Sequence, residues 1–248
     1  MTQTVDRAME ILRFVSEKPR SLGEVASYLQ VHKSTALRSL QSLETAGFVR
    51  RPAKGTFDIG FGLISIGHRA LEKMDAPTIA HPYLERLAFR CAQTVHFAQL
   101  SETSVIYIDK VEGHGPIAAG TKIGIPAPLH TAAVSKVILA YQPEPTILKI
   151  LDNVIFQSYT ANTIVTPSSF REQLEVARKR GWAEDDGEYE DFLNCIALPI
   201  FDATGSVTHG MSVTALKAIA NLDSLRKQLP LFKQTATDIS RAMGWIGK

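Results

Sequence analysis

The sequence predicts an α+β protein in two parts joined by a helix. Three observations predict it. Three short amphipathic helices and a basic hairpin follow one another within the first sixty residues, an apolar helical stripe runs over 61–75, and the remainder alternates paired strands with separate helices. With 248 residues the chain has room for two self-sufficient cores. Its 45% hydrophobic and 21% charged residues are those of an ordinary globular protein. No apolar run approaches the roughly 20 residues of a membrane helix. The opening MTQTVDRAMEILRF carries Asp6 and Glu10 and no small-residue cleavage site, so it does not read as a secretory signal. Two cysteines, Cys91 and Cys195, with no C-x-x-C spacing, suggest neither a disulfide framework nor a metal site. The expectation is a reduced, cytoplasmic protein without membrane contact and without a cofactor.

The formal net charge of +2 hides an asymmetry. Residues 1–58 hold nine Lys/Arg against six Asp/Glu, whereas the rest holds 18 against 19. Within 33–54 five basic residues face Glu44 alone. A basic patch at one end of a near-neutral chain suits a polyanion such as double-stranded DNA.

Val5, Ala8, Met9, Leu12 and Val15 form one helical stripe, so the first helix is expected over 4–17, stopped by Pro19. Ser21-Leu22-Gly23-Glu24 is a capping box, followed by Val25, Ala26 and Leu29 on one face of a two-turn helix. Gln30-Val31-His32 supplies the tight turn. A third helix from Lys33 turns Ala36, Leu37, Leu40 and Leu43 inward and ends at Gly47, a natural left-handed cap. Its outward face gathers Lys33, Ser34, Thr35, Arg38, Ser39 and Ser42 near its N-terminal end, the part that enters the major groove in a helix-turn-helix. Hydroxyls and helix N-termini hold phosphate, and Arg reads guanine in a bidentate way. Phe48–Arg51, the turn Pro52-Ala53-Lys54-Gly55 and Thr56–Ile59 make a wing whose Arg50, Arg51 and Lys54 suit backbone phosphate. Ser21, at the second helix's start, completes the candidate DNA-binding set.

The stretch Leu22 to Gly60, LGEVASYLQVHKSTALRSLQSLETAGFVRRPAKGTFDIG, resembles the winged helix-turn-helix of the IclR transcription regulators. Pro128-Leu129-His130 with Ser135-Lys136 and Leu139-Ala140 resembles that family's P-L-H...G-K-x-x-L-A segment. Gly181-Trp182-Ala183-x-Asp185-Asp186, then Cys195-Ile196-Ala197-x-Pro199-Ile200, resembles its G-[YW]-x-x-D...C-[IV]-A-x-P signature. The likeness covers nearly the whole chain. Ser135, Gly187 and Phe192 depart from it, standing where the family prefers Gly, an acid and Gly, and Phe192 is expected to alter the pocket floor.

Beyond the wing, Leu63, Ile64, Gly67, Ala70, Leu71 and Met74 mark a linker helix. The next helix carries Ile79, Tyr83, Leu84, Leu87, Ala88 and Cys91 inward, so Cys91 reads as core. Val95–Leu100 and Val105–Asp109 then alternate with period two around a turn at Glu102-Thr103-Ser104. Helices are expected at 131–141, 168–180, 222–229 and 231–245, with strands at Cys195–Phe201 and Val207–Thr214 around the turn Asp202–Gly205. The resemblance implies a GAF/profilin-like domain, an antiparallel sheet flanked by helices. Domain limits of 1–60, 61–75 and 76–248 follow.

The resemblance also implies a small-molecule effector site, carried over to Ala119, Ala127, Ala133, Val134, Asp185, Leu193, Cys195, Ser212 and Thr214. The small side chains at 119, 127 and 133 point to a cavity roomier than a two-carbon acid requires, one for an aromatic acid or derivative. Glu190 and Asp191 read as a loop in water, and His130 as a cap for the helix after it. The expected function is a sequence-specific transcription regulator, by default a repressor of a catabolic operon, acting as a homodimer or homotetramer; an activator of the same family is the alternative. An enzyme is not expected. A Cys195 nucleophile with His209 as base is imaginable, but no G-x-S-x-G, Walker A, H-E-x-x-H or G-x-G-x-x-G occurs, and the seven histidines show no metal-ligand spacing. An architectural DNA-binding protein fits poorly with about 170 residues of non-basic domain.

Overall fold

The computed structural model describes residues 3–53, 55–71, 75–113 and 121–247. They form two compact units, 1–75 and 76–248. Among the described residues no helix is long and apolar enough to cross a membrane.

The first unit contains α1 (Gln3–Glu17), β1 (Arg20–Ser21), α2 (Leu22–Tyr28), α3 (Lys33–Thr45), β2 (Val49–Arg50), β3 (Thr56–Ile59) and α4 (Phe61–Leu71). The buried face of α1 is set by Ile11 and Val15, with Ala8 and Leu12 beside them. The sequence reading is corrected here: Val5 and Met9 are 59% and 49% exposed, because the face toward the rest of the unit follows 8, 11, 12 and 15. The capping box at Ser21 forms as expected. Ser21 Oγ accepts from the Glu24 amide at 3.3 Å, while the Ser21 amide donates to Glu24 Oε2 at 2.8 Å. Hydrogen bonding from Ser21 therefore holds the Glu24 carboxyl below its ordinary value.

The wing is better anchored than a free hairpin. Its β3 strand pairs with β2 on one side and with β1 on the other, through Arg20 opposite Phe57 and Ser21 opposite Thr56. Phe57 is buried with Val25, Leu40 and Val49 in one core. Gly47, at φ +74°, turns the chain out of α3, and the strands close behind it: the Gly60 amide donates to the Phe48 carbonyl at 2.8 Å and the Gly62 amide to the Gly47 carbonyl at 2.9 Å.

The second unit is a six-stranded antiparallel sheet between two helical layers. It contains α5 (Ala76–Cys91), β4 (Thr94–Ser101), β5 (Ser104–Val111), β6 (Pro126–Ala127), α6 (Ala133–Leu139), α7 (Glu144–Leu151), α8 (Pro167–Arg180), β7 (Ala183–Asp185), β8 (Leu193–Phe201), β9 (Val207–Leu216), α9 (Leu222–Lys227) and α10 (Leu229–Ala242). The strand order is β6-β5-β4-β9-β8-β7. Strand alternation sorts side chains cleanly between the layers. Val95, Phe97, Ile196, Leu198, Ile200, Met211 and Val213 join the helices α5, α9 and α10 in one core, where Cys91 also packs. Ala98, Tyr107 and Ala197 lie on the opposite face with α6 and α8. Gly210 lets α6 come down onto the sheet: a Cβ there would lie 3.1–3.2 Å from Ile138 and Val134.

The linker-helix stripe is described only as far as Leu71; Met74 lies outside the described residues. Four elements, α7 and the short strands β1, β6 and β7, were not expected from the sequence.

A Cβ on Gly60 would collide with the Gly47 carbonyl, forcing α3 and the wing apart. Gly60→Ala is expected to destabilise the N-terminal unit by about 1–3 kcal/mol. Chemical denaturation followed by far-ultraviolet circular dichroism checks this, with loss of DNA binding in parallel.

Candidate nucleic-acid interface and ligand cavity

In the first unit, the exposed face of α3 carries the candidate recognition residues. His32 caps the helix, its Nδ1 accepting from the Ser34 amide at 3.4 Å, a role the sequence reading missed by placing it in the turn. Lys33 and Arg38 are exposed. The remaining candidates are partly engaged within the protein. Ser34 Oγ lies 2.9 Å from His32 Nδ1, and Ser39 and Ser42 donate to the carbonyls of Thr35 and Arg38 four residues earlier. Arg50 is bidentate within the wing, donating to Asp58 at 2.8 Å and to the Ile59 carbonyl at 3.0 Å. Arg51 reaches Glu44 at 3.0 Å and stands over the Phe57 ring. Ser21 is committed to its capping box. Lys54 lies outside the described residues. Among the described candidates, then, Lys33 and Arg38 are the cations with no ion pair inside the protein, whereas Arg50 and Arg51 would have to share theirs with phosphate.

In the second unit, a cavity of about 310 Å³ lies over the α6 face of the sheet. Register builds its floor. Cys195 on β8 stands opposite Thr214 on β9, and Ser212 on β9 stands opposite both His96 on β4 and Ala197 on β8. Ala133 and Val134 descend from the start of α6, Asp185 from the end of β7, and Leu193 from the start of β8. All seven of these expected residues line the cavity. Ala127 is corrected: it is buried in β6, packed in the core, while its neighbours Pro126 and Pro128 line the space instead. Ala119 lies outside the described residues. Phe192 is corrected too, being 54% exposed and absent from the lining.

Sequence reasoning missed His96, Tyr107 and Thr121. His96 is buried between two hydroxyls, Thr121 Oγ1 2.7 Å from Nε2 and Thr214 Oγ1 3.3 Å from Nδ1. Burial, reinforced by Lys110, lowers its pKa to about 3, so the ring is neutral at any physiological pH. Tyr107 tilts against it with centroids 5.1 Å apart. Burial raises the Tyr107 phenol, and nearby Asp185 raises it further, so it keeps its proton. The available signal was strand alternation, which puts 96 and 98 on the face opposite Val95 and Phe97.

The acidic run divides: Asp191 is exposed, as a loop in water would have it, and Glu190 is half-buried. Asp185 and Glu188 are buried, and Glu190 lines the cavity. Lys136, 1% exposed, donates to Glu188 Oε1 at 2.5 Å. Burial raises Glu188 to about 7 against the pull of Lys136, and burial likewise raises Asp185. The loop is pinned by Thr160 to the Gly187 carbonyl and by Thr163 to the Glu188 carbonyl, both at 2.6 Å. Gly187 has φ +69°, the left-handed region that favours glycine. His130 does not cap α6; its Nε2 meets the Gln157 carbonyl at 3.0 Å, and Ala132 starts the helix without a side-chain cap.

The arrangement does not support a thiol nucleophile. Burial, then Asp185, raises the Cys195 thiol, whose sulfur lies 3.1 Å from Thr214 Oγ1. His209 pairs with Ile200, five residues along β9 from the Thr214 opposite Cys195. That is about 16 Å of strand, too far for a base.

A winged helix-turn-helix on one unit and a ligand-sized cavity in the other define a DNA-binding transcription regulator rather than an enzyme. Residues 68–241 match the family described as the bacterial transcriptional regulator IclR C-terminal domain, and residues 4–53 match the IclR helix-turn-helix domain. The chain belongs to the IclR family. It is similar to the IclR of Thermotoga maritima, whose crystal structure is 32% identical with a TM-score of 0.66, over 99% of this chain and 100% of that one. It is also similar to the transcriptional regulator KdgR of Escherichia coli K12, 29% identical over 98% of this chain and 93% of that protein. The transcriptional repressor AllR of the same strain is 28% identical over 98% and 90%.

Arg38, exposed and unpaired on α3, is the residue to test for base reading. Arg38→Ala should cost about 1–3 kcal/mol against the operator and blur the preference over a scrambled duplex. Fluorescence anisotropy with DNA from the region upstream of the protein's own gene measures both; an unchanged operator affinity would remove Arg38 from the recognition set.

Proposed function

We propose that the protein is a repressor of a catabolic operon, released from its operator when a small single-ring organic effector occupies the cavity of the second unit. The observation that carries this reading is the cavity itself. It has the volume of a small-ligand site, and polar groups converge on it from β4, β5, β7, β8 and β9 between apolar walls. AllR, a relative over nearly the full length, is named a repressor, which supports that direction of control. Residues 1–60 serve as the DNA-binding domain, 61–75 as the linker and 76–248 as the effector domain, in a protein acting in the cytoplasm.

The reading includes assembly. A single winged module buries too little surface for tight specific binding. On α4, Phe61, Ile64 and Ile66 are 73%, 60% and 52% exposed, an apolar surface that a second copy would cover. The active form is a homodimer joined through its linker helices, with a dimer of dimers as the larger form, and the operator is pseudo-palindromic. Light scattering at micromolar concentration should return at least twice 27.2 kDa. A particle of 27.2 kDa would defeat the assembly.

The effector site is tested through Ser212. Thermal-shift screening of single-ring acids, phenols and amides should find compounds that stabilise the protein without being consumed. Ser212→Ala should weaken such a compound by about 1–3 kcal/mol, because a buried ligand group loses its partner. The variant should melt normally, bind operator normally and need more effector for release. Equal calorimetric affinity in wild type and variant would place the effector elsewhere.

A further inference from the structure

Three polar groups of the cavity stand out because the protein leaves them without partners. Tyr107, Ser212 and Asp185 are 8%, 3% and 6% exposed, and all three line the cavity. Among the described residues, the Tyr107 and Ser212 hydroxyls have no hydrogen-bond partner. Asp185 accepts from the Glu188 amide through Oδ1 at 2.7 Å, and its Oδ2 is free. These groups face the cavity rather than packed protein, so their partners must come from whatever fills it, water or a ligand. Three other polar side chains on the cavity floor and wall are already engaged. Thr121 and Thr214 hold His96, and Cys195 lies against Thr214.

The unmet groups have opposite demands. An ionised carboxylate only accepts, whereas the two hydroxyls can donate. Burial keeps the proton on the Tyr107 hydroxyl, with nearby Asp185 acting in the same direction. A ligand satisfying both ends must carry a group that donates and accepts at once. A carboxylate ligand offers only acceptors and meets Asp185 charge to charge. It also finds no free buried cation, because Lys136 is taken by Glu188, and Lys122 at the cavity is exposed. The body of the ligand faces the Tyr107 and His96 rings, with Ile125, Pro126 and Leu193 as apolar walls.

We propose that the cavity selects a neutral donor–acceptor group, a phenol, alcohol or carboxamide, on a planar single-ring body, and that Tyr107 is the specificity-determining residue that donates to it. This rests on reading the cavity as the effector site. Ser212 serves the same group from β9, and Asp185 receives its hydrogen.

The experiment uses the full-length protein with benzamide, phenol and benzoate as probes of nearly equal size, followed by saturation-transfer NMR and calorimetry. Benzamide or phenol should bind at least tenfold more tightly than benzoate. Tyr107→Phe removes an oxygen that no protein group holds, so it should melt like wild type while losing about tenfold in affinity for the neutral probe. Asp185→Asn, which replaces an acceptor by a group that also donates, should narrow or reverse the preference against benzoate. Benzoate binding as tightly as benzamide, with both weakened by Ser212→Ala, would overturn the ligand class and leave the effector cavity standing. Unchanged affinity in Tyr107→Phe would overturn the role of Tyr107. Binding indifferent to Ser212→Ala and to a cavity-filling Leu193→Trp would place the probes elsewhere and sink both readings. Absence of binding by all three probes would overturn the proposed ligand class.

Discussion

Pairing of β9 with β4 on one side and β8 on the other holds every element of the sensing domain in place. Six consecutive residue pairs join β9 to β4, and the β8 pairing continues across the same strand to Leu216. Because side chains alternate, this single register decides that Phe97, Met211 and Val213 enter the core while His96, Ser212 and Thr214 face the cavity. A slip of one residue would exchange the two sets, putting polar groups among the α5 and α10 side chains and apolar ones in the cavity. The large apolar core on the one face therefore specifies the polar arrangement on the other.

Charge at the cavity edge is organised by one buried lysine. Lys136 faces inward from α6 because the whole of that short helix is buried, and Glu188 meets it on a loop held by Thr160 and Thr163. Through its amide, Glu188 in turn fixes Asp185. A buried pair of this kind is weak evidence for stability, since desolvation consumes most of the attraction. Its effect is positional: it spends the buried cation and orients the buried Asp185 carboxylate at the cavity.

The first unit was legible in the sequence because its signals are local. The capping box, the left-handed Gly47 and the basic turn each act within a few residues. What local pattern could not supply was the pairing of Arg20 and Ser21 with β3, which depends on residues 37 and 35 positions away. In the second unit, the long strands were legible from alternation, but β6 and β7 are two and three residues long and exist only because a neighbouring strand offers its edge. Resemblance located Asp185, Cys195, Ser212 and Thr214, since they belong to a recognisable motif. His96 and Tyr107 belong to none, and lay hidden in strands read only as an alternating hairpin. Glu188 was unreadable for the opposite reason: an acidic run looks solvated until its buried lysine partner is known.

The polar groups lining the cavity bear on how long the protein survives in a cell. A ligand that meets them binds only the folded domain, so at about a hundredfold its dissociation constant it adds roughly 2.7 kcal/mol to folding. Where proteases act on transiently opened chains, that shift lowers the open population about a hundredfold. The molecules holding effector would thus be the longest-lived, and the metabolite that changes the regulator's activity would also set how much of it is present.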